Sequence, residues 1–354
     1  MPLTRPTLHG ALNDYAQELN IKIEWDTAAT KFFEDHNSAG VILADGRVET
    51  ADLVVAADGI GSKSWELVNG HKPTYIDSGL TCHVATCPAD VVHKNKVIAD
   101  GFGDFERGML FSLGPGMHFG MGRTEEDISW TMVHKTRKNH SETAVEWGKG
   151  GTHESALSYC EGWAPFYKEI VKATPSDEIL LWNLTWRDPH PNWVSSRGRV
   201  VQLGDSAHPF IPTSGAGATM AMEDAYSLAA CLHLGGKPNI PLALKVHNRL
   251  RFERVSCAQK NAFRNSEKFH NTDWDAVAKD PGMSANFTGD WLSSHNVEQY
   301  TYDNYEKVVS HIVMGTPFEN TNTPPGYTFK PWSIKEMMEA SERGQPIIDE
   351  GEWS

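Results

Sequence analysis

The stretch that most constrains this chain runs from residue 199 to residue 233. Val200 to Leu203 is a short apolar run beside a glycine, the pattern of a buried strand. Gly204 and Asp205 end it. Pro209 and Pro212 hold the following residues extended, because proline disfavours helix in the residue before it. Thr213, Ser214, Gly215, Ala216 and Gly217 then make a turn of small residues. From Ala218 onward Met222, Ala225, Tyr226 and Ala229 recur at helical spacing. A strand, a glycine-rich turn and a helix in that order make an anion site. The unpaired N–H groups at the helix start point at the ligand, and the helix dipole adds about 0.3–1 kcal/mol. Asp205, at the strand end, suits sugar-like hydroxyls, each charged hydrogen bond contributing about 1.5–3 kcal/mol. An anion and a polyol in one ligand suggest a nucleotide cofactor.

A second stretch has the same logic. The run from Glu49 to Ala57 is nearly all apolar at its end and closes in Asp58-Gly59-Ile60-Gly61-Ser62. A carboxylate at the carboxyl end of a core strand, beside glycines that admit a ligand to the backbone, lies where open α/β sheets bind ligands. Arg5 precedes the first helical stretch, and its planar guanidinium suits a phosphate or a carbonyl oxygen.

Together these residues resemble a known family. Gly204-Asp205-Ser206-Ala207-His208-Pro209, with Pro212, Gly215, Gly217, Ala218 and Glu223-Asp224, is similar to the second flavin motif of the FAD-dependent aromatic-ring monooxygenases. These are the salicylate-hydroxylase-like and para-hydroxybenzoate-hydroxylase-like flavoproteins, and the likeness is to the fungal type. Asp58-Gly59 resembles the family's middle motif, near both FAD and the nicotinamide cofactor, and Arg5-Pro6-Thr7-Leu8 its R-x-x-L pattern. The resemblance implies cofactor contacts from Arg5, Asp58, Gly59, Gly204, Asp205, Pro212, Gly215, Gly217 and Ala218. It implies FAD, NADPH or NADH as reductant, O2, and an aromatic or unsaturated small-molecule substrate that receives one oxygen atom.

Three departures stand out. An arginine is usual in the family where Trp65 stands, and another, with a catalytic or substrate-orienting role, where Val84 stands beside His83. The family also opens with a βαβ unit whose G-x-G-x-x-G holds the FAD pyrophosphate. This sequence carries no such fingerprint, and its first residues match the later arginine–helix segment. The expectation is a chain without that unit, with poor folding or weak FAD binding in isolation. The alternative function is a non-catalytic remnant of the flavoprotein fold. No catalytic residue stands out. His83, His118 and His208 are the candidates, each read as structural.

The rest of the chain fits an α/β (α+β) fold: a partial FAD-binding Rossmann-like lobe and a mostly antiparallel substrate-binding sheet. The expected division is 1–74 and 191–270 for the FAD lobe, 75–190 for the sheet domain and 271–354 for a helical or extended tail. Helices are expected over 7–19, with Thr7 as cap, over 155–175 with a break at Trp163-Ala164-Pro165, and over 241–268 with a solvated basic face. Strands are expected at Ile21–Trp25, Lys31–Glu34, Gly40–Leu43, Lys96–Ala99, Gly108–Phe111, Met117–Met121, Ser129–His134 and Ile179–Leu184. Trp182, Trp186, Phe119 and Phe210 are candidates for an aromatic pocket. The segment after Pro324 is expected extended and mobile.

With 32 basic and 46 acidic residues among 354, the net charge is −14. That disfavours non-specific binding to nucleic acid or anionic membrane. No apolar run reaches 18 residues, so no transmembrane segment is expected. No signal peptide is recognised, which leaves a cytoplasmic location as the expectation. Five scattered cysteines without a C-x-x-C pair suggest reduced buried thiols and no metal site, with Cys82 and Cys87 the one conceivable pair.

Overall fold

The computed structural model describes residues 5–136, 151–280, 288–345 and 350–353. The chain divides into two compact units. One holds Met1–Trp25, Asp77–Thr185 and Lys268–Thr272; the other holds Asp26–Ile76, Trp186–Glu267 and Asp273–Ser354.

The first unit contains α1 (Arg5–Glu18), β5 (Ile76–Pro88), α3 (Val91–Lys94), α4 (Lys96–Phe102), β6 (Gly108–Gly114), β7 (Met117–Arg123), β8 (Asp127–Lys135), α5 (His153–Tyr159), α6 (Pro165–Ala173) and β9 (Leu180–Trp186). Its sheet has the order β6-β7-β8-β5-β9, and the first four strands pair antiparallel. Alternation along the strands sends Ala85, Cys87, Phe119, Trp130 and Met132 to one face, where Ile98, Phe102, Phe166, Ile170 and Val171 from the helices cover them. Each large apolar side chain buried there contributes about 1.5–3 kcal/mol. Gly101 lets α4 meet α6, since a Cβ there would lie 2.1 Å from the Phe166 ring. The other face carries Leu80, Cys82 and Val133, with Val84 and Leu184 against them.

Three expectations for this unit are corrected. Lys96–Ala99 is helical, because the Asn95 side chain accepts a hydrogen bond from the Val97 N–H at 2.9 Å and caps α4. Ile21–Trp25 forms no strand, since its alternating residues have no core face to cover and Ile21, Ile23 and Trp25 stay exposed. Helix α1 begins at Arg5, so Thr7 lies inside it rather than at its cap, and its apolar stripe buries no residue. The break at Trp163-Ala164-Pro165 falls between α5 and α6, as the proline requires.

The second unit contains β1 (Ala29–Glu34), β2 (Ala39–Leu43), β3 (Val48–Ala51), β4 (Val54–Ala56), α2 (Trp65–Asn69), β10 (Val200–Gln202), α7 (Gly217–Gly235), α8 (Ile240–His270), α9 (Trp274–Lys279), α10 (Asp290–Ser293), α11 (Val297–Met314) and α12 (Ile334–Glu342). The last three residues of α8 count with the first unit. Strands β1, β2 and β3 form an antiparallel sheet. β4 and β10 pair in parallel, Val54 with Val200, Val55 with Val201 and Ala56 with Gln202. Helices α7 and α8 bury Leu228, Cys231, Leu244 and Leu250.

Two expectations for this unit are also corrected. The basic face of α8 is not solvated: Arg251, Arg254 and Lys260 are buried. The segment after Pro324 is not simply extended, because Ser333 and Glu336 close a capping box on α12, while Tyr327 and Trp353 are buried. All five cysteines are buried and free. Among the described residues no helix is long and apolar enough to cross a membrane, and no cluster of ligands suits a metal ion.

Candidate cofactor site

Parallel pairing delivers the ends of β4 and β10 to the same edge, so the turns after them meet. The Ser206 hydroxyl donates to Asp58 Oδ1 at 3.1 Å and accepts from the Gly59 N–H at 2.9 Å. The Lys63 N–H closes the Asp58 turn on Oδ2 at 3.3 Å. Asp205 is exposed beside this junction, while Gly204, Ser206, Ala207 and His208 are buried. Gly204 has φ +56°, and a Cβ there would lie 3.0 Å from that of Ala221. Glycine therefore serves both the turn and the close approach of α7.

Pro212–Ser214 form one 3₁₀ turn, Gly215 takes φ +63°, and α7 starts at Gly217. The start of α7 has no side-chain cap and no acidic residue in its first turn. Backbone donors at such an uncapped start of a 19-residue helix suit an anion. Ala218 is exposed in that first turn. A Cβ at Gly59, Gly61 or Gly215 would meet no atom within 4 Å. Positive φ explains glycine at 59 and 215. At Gly61 neither packing nor φ requires glycine, and the backbone there is open to a ligand. An exposed carboxylate, an uncapped helix start and open glycines fit the polyol and pyrophosphate of a flavin nucleotide.

Beneath the turns lies a buried charge network that the sequence reading missed. Asp224 accepts from the Gly204 N–H at 3.1 Å, from His208 Nε2 at 2.6 Å and from Arg251 Nε at 2.8 Å. Glu223 accepts from Arg251 Nη1 at 2.5 Å, and from Arg254 Nε and Nη2, both at 2.8 Å. Burial alone raises the Asp224 pKa, but His208 and Arg251 hold it well below the usual carboxylate range.

Arg187 was also missed. It is 2% exposed and donates from Nη2 to the Ile60 carbonyl at 2.8 Å. Its guanidinium carbon lies 5.2 Å from the centroid of the Trp65 ring and 4.2 Å from that of Tyr75. The departure at Trp65 therefore provides an aromatic face for a cation from elsewhere in the chain. Nε and Nη1 of Arg187 are buried without a hydrogen-bond partner in the structure.

The remaining sequence candidates are dispersed. Arg5 belongs to the other unit, 5.9 Å from the ring of Trp182. His83 lies on the helix-covered face of its sheet, sharing hydrogen bonds with His134 Nε2 at 3.0 Å and Ser155 Oγ at 2.9 Å. Val84 points to the opposite face, so His83 does not stand in for the family arginine. Burial pushes His83 down to about 4. His118 Nδ1 and His270 Nε2 are 3.2 Å apart, and burial takes these rings down to about 3 and about 4. The four aromatic candidates are divided between the units, Trp182 and Phe119 in the first and Trp186 and Phe210 in the second. Trp186 and Phe210 line a small cleft with Arg187, Ile211 and Trp332, whereas Phe119 stacks on Trp130 in the core of the other unit.

Against this geometry, the FAD binding domain family matches residues 3–236. The chain belongs to this family. Within it, the FAD-dependent monooxygenase dmxR9 of Cryptosporiopsis sp. (strain 8999) is 40% identical over 347 residues, which cover 95% of this chain. The chain spans 66% of the length of that relative. Among solved structures of the family's fold, CtdE in complex with FAD and substrate 4 aligns at a TM-score of 0.77 and 28% identity. That alignment covers 86% of this chain and 74% of CtdE. A substrate complex of salicylate hydroxylase, at 21% identity and a TM-score of 0.69, covers 84% and 74% of the two chains and shows the same fold.

Proposed function

We propose that this member of the FAD-binding-domain family is an FAD-dependent monooxygenase. It places one atom of O2 on an aromatic or unsaturated small molecule, with NADPH or NADH as reductant. In balance, substrate, O2, NAD(P)H and a proton give oxygenated product, water and NAD(P)⁺. The observation that carries the reading is the junction of the two turns through Ser206, which gathers Asp58, Gly59, Gly204 and Asp205 at one strand edge.

When bound, FAD supplies the electron transfer and oxygen chemistry. The protein residues bind and orient it. The exposed Asp205 carboxylate would hold hydroxyls of the polyol and the α7 amides near Gly217 and Ala218 would hold the pyrophosphate, with Pro212 and Gly215 shaping the turn. Asp58 and Gly59 would fix the neighbouring backbone through Ser206. CtdE, crystallised with FAD, supports this reading.

The test is the absorbance spectrum of the purified chain after incubation with FAD, with NADPH or NADH oxidation followed under air. Bound flavin and substrate-stimulated oxidation are expected. A chain that stays colourless with excess FAD overturns the reading and favours a non-catalytic protein of the same fold.

A further inference from the structure

Glu223 and Asp224 are adjacent, both buried, and both joined to Arg251, yet they use their oxygens differently. Glu223 gives both to arginines: Arg251 and Arg254 on Oε2, and Arg254 again on Oε1. Arg254 also donates to the carbonyls of Trp291, Leu292 and Asn322, so this half of the network ties α7 and α8 to the α10 region. Asp224 gives only Oδ1 to Arg251. Its Oδ2 faces the strand-end turn and takes the Gly204 N–H and His208 Nε2 together.

Those two donors bracket Asp205. The turn between them is tight: the N–H groups of Ala207 and His208 both donate to the Gly204 carbonyl, at 2.8 and 2.9 Å. Gly204 sits at φ +56°, outside the conformations most residues favour. One carboxylate oxygen therefore holds both ends of a tight turn whose exposed member is Asp205. A buried ion pair by itself is weak evidence for stability, and its better-attested use is to fix one arrangement among several.

On the reading that this turn receives FAD, we infer that Asp224 is a positioning residue. Its Oδ2 sets the conformation in which the Gly204–His208 turn presents Asp205, and Arg251 orients that carboxylate through Oδ1. Glu223 touches no atom of the turn in the hydrogen bonds described and acts on it only at one remove, through Arg251; its own role is to tie α7 and α8 to the α10 region.

The experiment compares D224N with E223Q. Each swaps one buried carboxylate for its isosteric amide. Amide hydrogen exchange of residues 203–208 is read in the protein without added flavin, and FAD affinity is read by fluorescence titration. In D224N one of the two carboxylate oxygens becomes an NH2, which then faces either the Gly204 and His208 donors or the Arg251 Nε donor. Exchange in the turn is then expected to rise about ten-fold or more, with a similar loss of FAD affinity. E223Q is expected to lower the melting temperature comparably while leaving turn exchange and FAD affinity within about two-fold of the parent. Equal effects from both variants, or an unchanged turn in D224N, overturn the inference. Should D224N fail to fold, R251K takes its place: it keeps the charge, loses the Nε donor to Oδ1, and is expected to raise turn exchange. Unchanged exchange in R251K then counts against Asp224. A parent chain that binds no FAD overturns the cofactor reading instead, while hydrogen exchange still decides the role of Asp224.

Discussion

Arg187 lies against Trp65, its guanidinium carbon 5.2 Å from the ring centroid, with the Tyr75 ring at 4.2 Å and the Ile60 carbonyl on Nη2. Burial pushes the Arg187 pKa down, and Tyr75 acts in the opposite sense. Replacing Arg187 with alanine removes both aromatic contacts and the hydrogen bond that holds the Asp58–Ser62 turn. The expected loss is about 2–3 kcal/mol in urea unfolding. R187K is expected to recover less than half of it, because an ammonium has no plane to lay against the rings. Full recovery by lysine would show that charge alone matters at this position.

Ser206 joins turns that are distant in sequence, through Gly59 and Asp58. S206A is expected to destabilise the second unit by about 1 kcal/mol, the net worth of one or two hydrogen bonds, and to weaken FAD binding more than ten-fold. Parallel chemical unfolding and flavin titration separate the two effects. Loss of stability with intact flavin affinity would mean that the junction serves folding only.

Gly61 provides the cleanest probe of ligand approach. A Cβ at this position meets nothing within 4 Å, and its φ is one that other residues adopt. G61A is expected to leave the melting temperature within about 1 °C, or to raise it slightly by restricting the unfolded chain. FAD affinity is expected to fall. If thermal stability and affinity are both unchanged, no ligand reaches this backbone.

Stability should fall on the acid side of neutrality. His83, His247, His270 and His295 are each pushed down to about 4, and His118 to about 3, with burial the leading cause in all five. Their unfolded values lie near 6.5. Between about pH 6.5 and pH 4 the unfolded chain therefore binds protons that the folded chain refuses, and stability declines as pH falls through that window. Below the folded values the histidine contribution no longer changes. Melting temperatures from pH 7.5 to 4.5 should drop monotonically, with more than one proton taken up on unfolding. H118F, which needs no proton, should flatten the slope. A flat profile in the parent chain would show that these rings are hydrated and titrate normally.

The parts of the fold that were legible in the sequence rest on local pattern. The apolar run of β10, the alternation in β7 and β8, and the proline between α5 and α6 each follow from short-range sterics and burial. The family was legible because the glycines and Asp205 of the Gly204–Gly217 stretch lie close together in sequence. Arg187 and the buried partners of Glu223-Asp224 were not, because these contacts are made between residues brought together by folding. Arg251 and Arg254 looked like a solvated face, since nothing in the spacing of α8 shows that Glu223 and Asp224 lie opposite. The apolar stripe of α1 misled in the other direction: helical period reports a face able to be buried, and α1 buries none of its residues.

Gly59 and Ser206 are separated by 147 residues, yet they share one hydrogen bond at the edge where β4 meets β10. During synthesis the first turn exists long before the second. At about 5–20 residues per second, the gap is on the order of ten seconds or more. Throughout that interval β4 has no partner strand and the Asp58 turn has no Ser206 to close it. On the proposed reading, productive capture of a nucleotide is thus a late event, set by the emergence of β10 and the head of α7 from the ribosome. A pause in translation between the two segments prolongs the lifetime of an unpaired strand edge, the form of the chain most prone to aggregate.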